Sequence, residues 1–179
     1  ALTTMQKRSM PKCAEMAAWM LNRVDFPGVD RAEAARILID RDGAKPVPTY
    51  LELAKKEKVT TDDLRAEMAR LIAALNDDAT NKKMLKLVGK GKPHENVFAM
   101  LATERIADLK TVRKDLVDAA FDVRRAAARV IGNRGDRDAL PDLRLMLTKG
   151  KNPGDQRLAI ETISAIEKGA STWLGELAG

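Results

Sequence analysis

The strongest constraint on this chain is internal recurrence. The segment Asp122-Val123-Arg124-Arg125-Ala126-Ala127-Ala128-Arg129-Val130-Ile131-Gly132 returns, degraded, 33 positions later as Asp155-Gln156-Arg157-Leu158-Ala159-Ile160-Glu161-Thr162-Ile163-Ser164-Ala165. Between the copies lies a second apolar-periodic stretch, Asp138 to Leu147, so the repeating unit is a pair of helices that must stack on the next pair to bury its apolar face. A weaker third copy, Asp63-Leu64-Arg65-Ala66-Glu67-Met68-Ala69-Arg70-Leu71-Ile72-Ala73, keeps the acid, both arginines and the aliphatic pair.

Helical spacing predicts the remaining elements. Apolar positions repeat at three and four residues over Pro11 to Val24 and over Arg31 to Ile39, the second opened by Asp30. A short helix is expected from Thr49 to Glu57, and a stronger one from Thr61-Asp62-Asp63 to about Leu75. Asn81 to Lys92, with five lysines and no acid, reads as a basic amphipathic helix ending at Gly89-Lys90-Gly91. Pro93 opens a helix expected to reach about Leu109, and Thr111 to Ala120 continues or follows it. The later expectations are Asp122 to Gly132, Asp138 to Thr148, Asp155 to Lys168, and a short tail at Ser171 to Leu177. No segment alternates as a strand would.

Composition agrees. At 179 residues the chain is long enough to bury a core, yet aromatics are only 3%, so Ala, Leu, Met, Ile and Val must fill the interior. Such small side chains suit close helix packing. The net charge of +6 permits association with polyanions without specifying it. One cysteine, Cys13, excludes an intrachain disulfide, and one histidine, His94, excludes a multi-histidine metal site. Cys13 reads as a buried small hydrophobe and His94 as a surface or capping residue. The acid pairs Asp62-Asp63 and Asp77-Asp78 adjoin helix starts, where capping explains them. Gly89-Lys90-Gly91-Lys92 lacks the preceding strand of a phosphate loop.

The order Asp-x-Arg before an Ala-rich aliphatic helix, with Ala139-Leu140-Pro141-Asp142-Leu143 opening the next, resembles HEAT and HEAT-like repeats of the short bacterial kind. The resemblance is clear over Asp122 to Lys168, weaker over Asp63 to Leu75, and carried by no motif before about residue 60. It implies an all-α solenoid, a superhelical stack of antiparallel helix pairs, with residues 1–60 as an irregular helical cap and 61–179 as one continuous repeat domain. Ala126, Ala159, Val130 and Ile163 are then core, and Arg124 and Arg157 are expected to tie successive pairs through the aspartates.

The function expected of such a stack is a non-enzymatic interaction or scaffold module presenting a concave helix row to a protein segment. Arg125, Arg129 and Arg134 are the expected contacts, with Lys82, Lys83 and Lys86 as a second patch. The alternative is a nucleic-acid-binding HEAT-like protein touching the phosphate backbone through these cations, for which the resemblance to the HEAT-like DNA glycosylases would imply a base-excision activity. No catalytic, cofactor or metal site is expected, and a membrane partner is not. The chain is expected in the cytoplasm, its first residue, Ala1, marking a processed end or a cut from a longer chain.

Overall fold

A computed structural model describes residues 12–56, 61–149 and 152–177, with side chains described as far as Lys168. Within those residues the chain is all-α. Ten α-helices are present and no strand: α1 Cys13–Leu21, α2 Gly28–Asp42, α3 Val47–Ala54, α4 Asp62–Leu75, α5 Asp78–Leu85, α6 Pro93–Ala102, α7 Leu109–Lys114, α8 Phe121–Asn133, α9 Leu140–Lys149 and α10 Pro153–Leu177. Short 3-10 turns at Asp115–Val117 and Arg137–Ala139 precede α8 and α9. The residues group into two compact units, Ala1–Lys86 and Leu87–Gly179.

In the first unit α2 packs on α1 and α4, and α3 packs on α4. Ala34 and Ala35 are fully buried, which lets neighbouring backbones approach, and Tyr50 fills the interior while its hydroxyl donates to the Ala35 carbonyl. In the second unit α8 is central, meeting α6, α7, the Asp115–Val117 turn and α10, while α10 also packs on α9. Consecutive Ala126, Ala127 and Ala128 are all buried, so α8 is covered on more than one side. Small side chains make that possible. Ala159 and Val130 are fully buried and Ile163 packs half-buried on the same core. Where α8 crosses α10, a Cβ added at Gly132 would stand 3.4 Å from the Ala165 Cβ.

One polar device recurs. Arg31, Arg65 and Arg124 each occupy the fourth residue of a helix, α2, α4 and α8 respectively. Each reaches back to the chain that has just ended the preceding helix or turn: Arg31 Nε donates to the Leu21 carbonyl at 3.0 Å, Arg65 Nε to Ala54 at 3.3 Å, and Arg124 Nη1 to Asp118 at 2.8 Å and Ala119 at 3.0 Å. Leu21 and Ala54 are the last residues of α1 and α3, where helix carbonyls lack intrahelical partners and the dipole is negative. A guanidinium satisfies both needs. Arg31 and Arg65 are only 2% and 3% exposed.

Arg124 also forms the expected link between copies, its Nε standing 2.9 Å from Asp155 at the start of α10. Arg157 does not repeat the arrangement; it turns outward and pairs with Glu161 one turn on, at 2.7 Å. Other boundaries shift for local reasons. Asp77 caps α5 through the Thr80 N–H, so that helix begins before the lysine tract and ends at Leu85. The helix opened by Pro93 stops at Ala102, with Thr103 bonding back to Ala99 through both N–H and hydroxyl. The expected tail at Ser171 is continuous with α10.

Breaking the arginine device should cost far more than removing an exposed cation. Arg65→Met is expected to lower stability by about 2–3 kcal/mol, since it leaves a buried carbonyl without its charged donor. Arg157→Met should leave the unfolding midpoint unmoved. Urea unfolding of the two variants provides the comparison.

Candidate functional site

The second unit carries a cleft of about 350 Å³ lined by Leu116, Val117, Asp118, Arg124, Asp142, Leu145, Met146, Lys149 and Asp155. Its construction follows from the local sequence. In α9 the residues Asp142, Leu145, Met146 and Lys149 fall at i, i+3, i+4 and i+7, so one helix stripe faces the cleft. Leu143, about 100° round the helix from Asp142, is fully buried and anchors α9 in the core. The LPDLRLMLTK text of α9 thus holds more apolar residues than one face buries. Leu145 remains 51% exposed and Val117, across the cleft, 83% exposed.

The opposing wall is held by a buried polar chain. Asn96 on α6 donates to Asp115 at 3.0 Å and accepts from the Gly89 N–H at 2.9 Å. This fixes the 3-10 turn whose next residues, Leu116 and Val117, line the cleft. Burial pushes the Asp115 carboxyl above its ordinary range, with the hydrogen bond from Asn96 opposing and the charge of Asp118 reinforcing the shift. The floor is the Arg124–Asp155 ion pair, with Arg124 13% and Asp155 16% exposed. The Arg124 guanidinium lies 5.4 Å from the Phe121 ring centroid. Asp118 caps the approach to α8 by accepting from the Ala120 N–H at 2.7 Å.

Electrostatically the cleft is not basic. Arg124 and Asp155 neutralise one another, leaving Asp118 and Asp142 against Lys149. Neither Asp142 nor Lys149 holds an ion pair among the described residues.

The arginines and lysines singled out from the sequence lie elsewhere. Arg125 and Arg129 project from α8 one turn apart and are exposed, Arg125 standing 3.2 Å from Asp122. Arg134, also exposed overall, donates to the Ala107 carbonyl. None of the three lines the cleft; their neighbour Arg124 does. Lys82 and Lys83 are exposed on α5 and Lys86 caps its end, where cations complement the dipole. They belong to the first unit, whereas the arginines belong to the second. Near Lys83, the Glu52 carboxyl is held below its ordinary range, first by a hydrogen bond from Lys55 and then by the charges of Lys55, Lys56 and Lys83.

Sequence reasoning overlooked Leu116, Val117, Asp142, Leu145 and Met146. The available signal was the surplus of leucines on α9 and their placement between two unlike charges. Cys13 is buried, and His94 is half-buried in the first turn of α6. Among the described residues no group of three His, Cys, Asp or Glu side chains is placed to hold a metal ion, and no helix is long and apolar enough to cross a membrane. No protein-family model matches the sequence, and neither the curated proteins nor the solved structures give a significant match.

The raised Asp115 carboxyl has a definite consequence for stability. A carboxyl whose folded value exceeds its unfolded one binds more protons in the folded state, so stability declines as pH rises from the ordinary aspartate range through the raised value and is level above it. Asp115→Asn keeps an acceptor for Asn96 and should abolish the decline. Urea midpoints between about pH 4 and pH 7 would register this; an unchanged slope would show that burial of Asp115 is not its source.

Proposed function

We propose that this chain is a non-enzymatic interaction module, built from helix pairs stacked in the HEAT-like manner, that docks a protein segment in the cleft beside α9. Support for the stack comes from the arginine that links the first copy of the repeat to the second, and from the same reach-back to a helix end at Arg31 and Arg65. The observation that carries the docking role is the cleft's lining: exposed Val117 and Leu145 and half-buried Met146 face one another between isolated charges. Exposed apolar side chains in a concave, pre-organised site favour an apolar ligand surface, because little ordering cost accompanies its burial.

The rival reading, backbone contact with nucleic acid, draws on the exposed lysines of α5 and on Arg125 and Arg129 of α8. At the cleft itself Asp118 and Asp142 would repel phosphate. The apolar lining there is also of no use to a phosphate backbone. We therefore assign the partner as protein, with the exposed cations of α5 and α8 serving as solvated helix faces or peripheral contacts.

Capture from native lysate separates the readings. Wild-type protein should retain its partner after nuclease treatment, and Leu145→Glu should lose it while keeping the wild-type circular dichroism. Capture that nuclease abolishes and Leu145→Glu leaves intact would replace this assignment with nucleic-acid binding.

A further inference from the structure

The lining of the cleft also constrains what kind of protein segment enters it, an inference that rests on the docking reading above. Two features bear on shape. The α9 wall is a helix stripe at i, i+3, i+4 and i+7, and the opposite wall is a 3-10 turn. Among the described residues there is no strand edge to which an extended peptide could add. A helix surface packs best against another helix, whose side-chain ridges fit its grooves.

Charge narrows the choice. Of the lining ions, Arg124 and Asp155 are paired with each other at 2.9 Å. Asp142, exposed in the first turn of α9, and Asp118, half-buried after the 3-10 turn, remain as the other lining carboxylates. Lys149 stands two turns further along α9. The local balance is therefore acidic although the whole chain carries +6. Any attraction for a cationic segment must arise locally, because the protein as a whole repels it.

We propose that the cleft receives an amphipathic helix of the partner whose apolar stripe seats on Val117, Leu145 and Met146 and whose polar edge carries lysine or arginine to meet Asp118 and Asp142. The apolar contacts supply most of the attraction. Carboxylates at the rim select the sign of the partner's charge and its register, as rim charges generally do. The opposite choice, an acidic helix, would leave both carboxylates facing like charge with only Lys149 to offset them.

Synthetic probes test this directly on the full chain. Fluorescence anisotropy would compare a labelled amphipathic Leu/Lys helix with a Leu/Glu helix of equal length and apolar stripe. The Leu/Lys peptide should bind about tenfold more tightly at low salt, the preference shrinking as salt is added. The double variant Asp118→Asn, Asp142→Asn, which retains the acceptor for the Ala120 N–H, should erase the preference. Leu145→Glu should weaken the Leu/Lys peptide despite adding a further acid. Equal binding of both peptides, still dependent on Leu145, would overturn the charge inference and leave the docking role standing. A Leu/Lys preference that survives the double variant would likewise overturn it. Absence of binding by either peptide would remove both.

Discussion

A buried arginine reaching back to the end of the helix before it is the interaction on which the rest of this structure depends. Short helices have proportionally many terminal carbonyls, and those facing the interior cannot turn to water. With few aromatics to provide bulk, the core relies on close backbone approach, which brings such carbonyls inside. Arg31 and Arg65 answer this from equivalent positions, and Arg124 adds an ion pair to the following helix. The planar guanidinium suits the task because it stays charged and directs several donors at fixed angles. Lysine at these positions would offer a single, more strongly hydrated charge.

Close packing in turn decides which side chains remain exposed. Alanines along α8 allow it to be covered on several sides, so its exposed surface shrinks to a narrow stripe holding Asp122, Arg125 and Arg129. Arg125 already faces Asp122. At α9 the reverse occurs. Leu143 commits one face to the core, while Leu145 and part of Met146 are left beside a turn held by Asn96 and Asp115. The cleft is a by-product of anchoring on both sides.

Helices with strong caps and clear apolar periodicity were legible from the chain alone. Asp62–Leu75 begins where Thr61-Asp62-Asp63 signals it, with the Thr61 hydroxyl accepting from Leu64 N–H. Ends decided by tertiary contacts were not. The lysine tract reads as a helix to Gly89 because its leucines and methionine recur at helical spacing; its start, Asn81 to Leu85, is helical, but the helix ends at Leu85, four residues before Gly89 at φ +73°. Arg124 and Arg125 pose a similar problem at the site. Adjacent in sequence, they diverge by about 100° on a helix, one entering the cleft floor and the other facing Asp122 in the open.

From the sequence by itself came the all-α class and the link from Arg124 to the aspartate that opens the second copy of the recurring segment, because periodicity and local chemistry are written in spacing. Tertiary structure decided that Arg157 faces Glu161 rather than completing a second link, and that the surplus leucine of α9 stays exposed. It also decided that the cleft is lined by carboxylates rather than by the conspicuous cations. Those outcomes depend on which faces neighbouring helices happen to cover, a property that spacing along one chain does not encode.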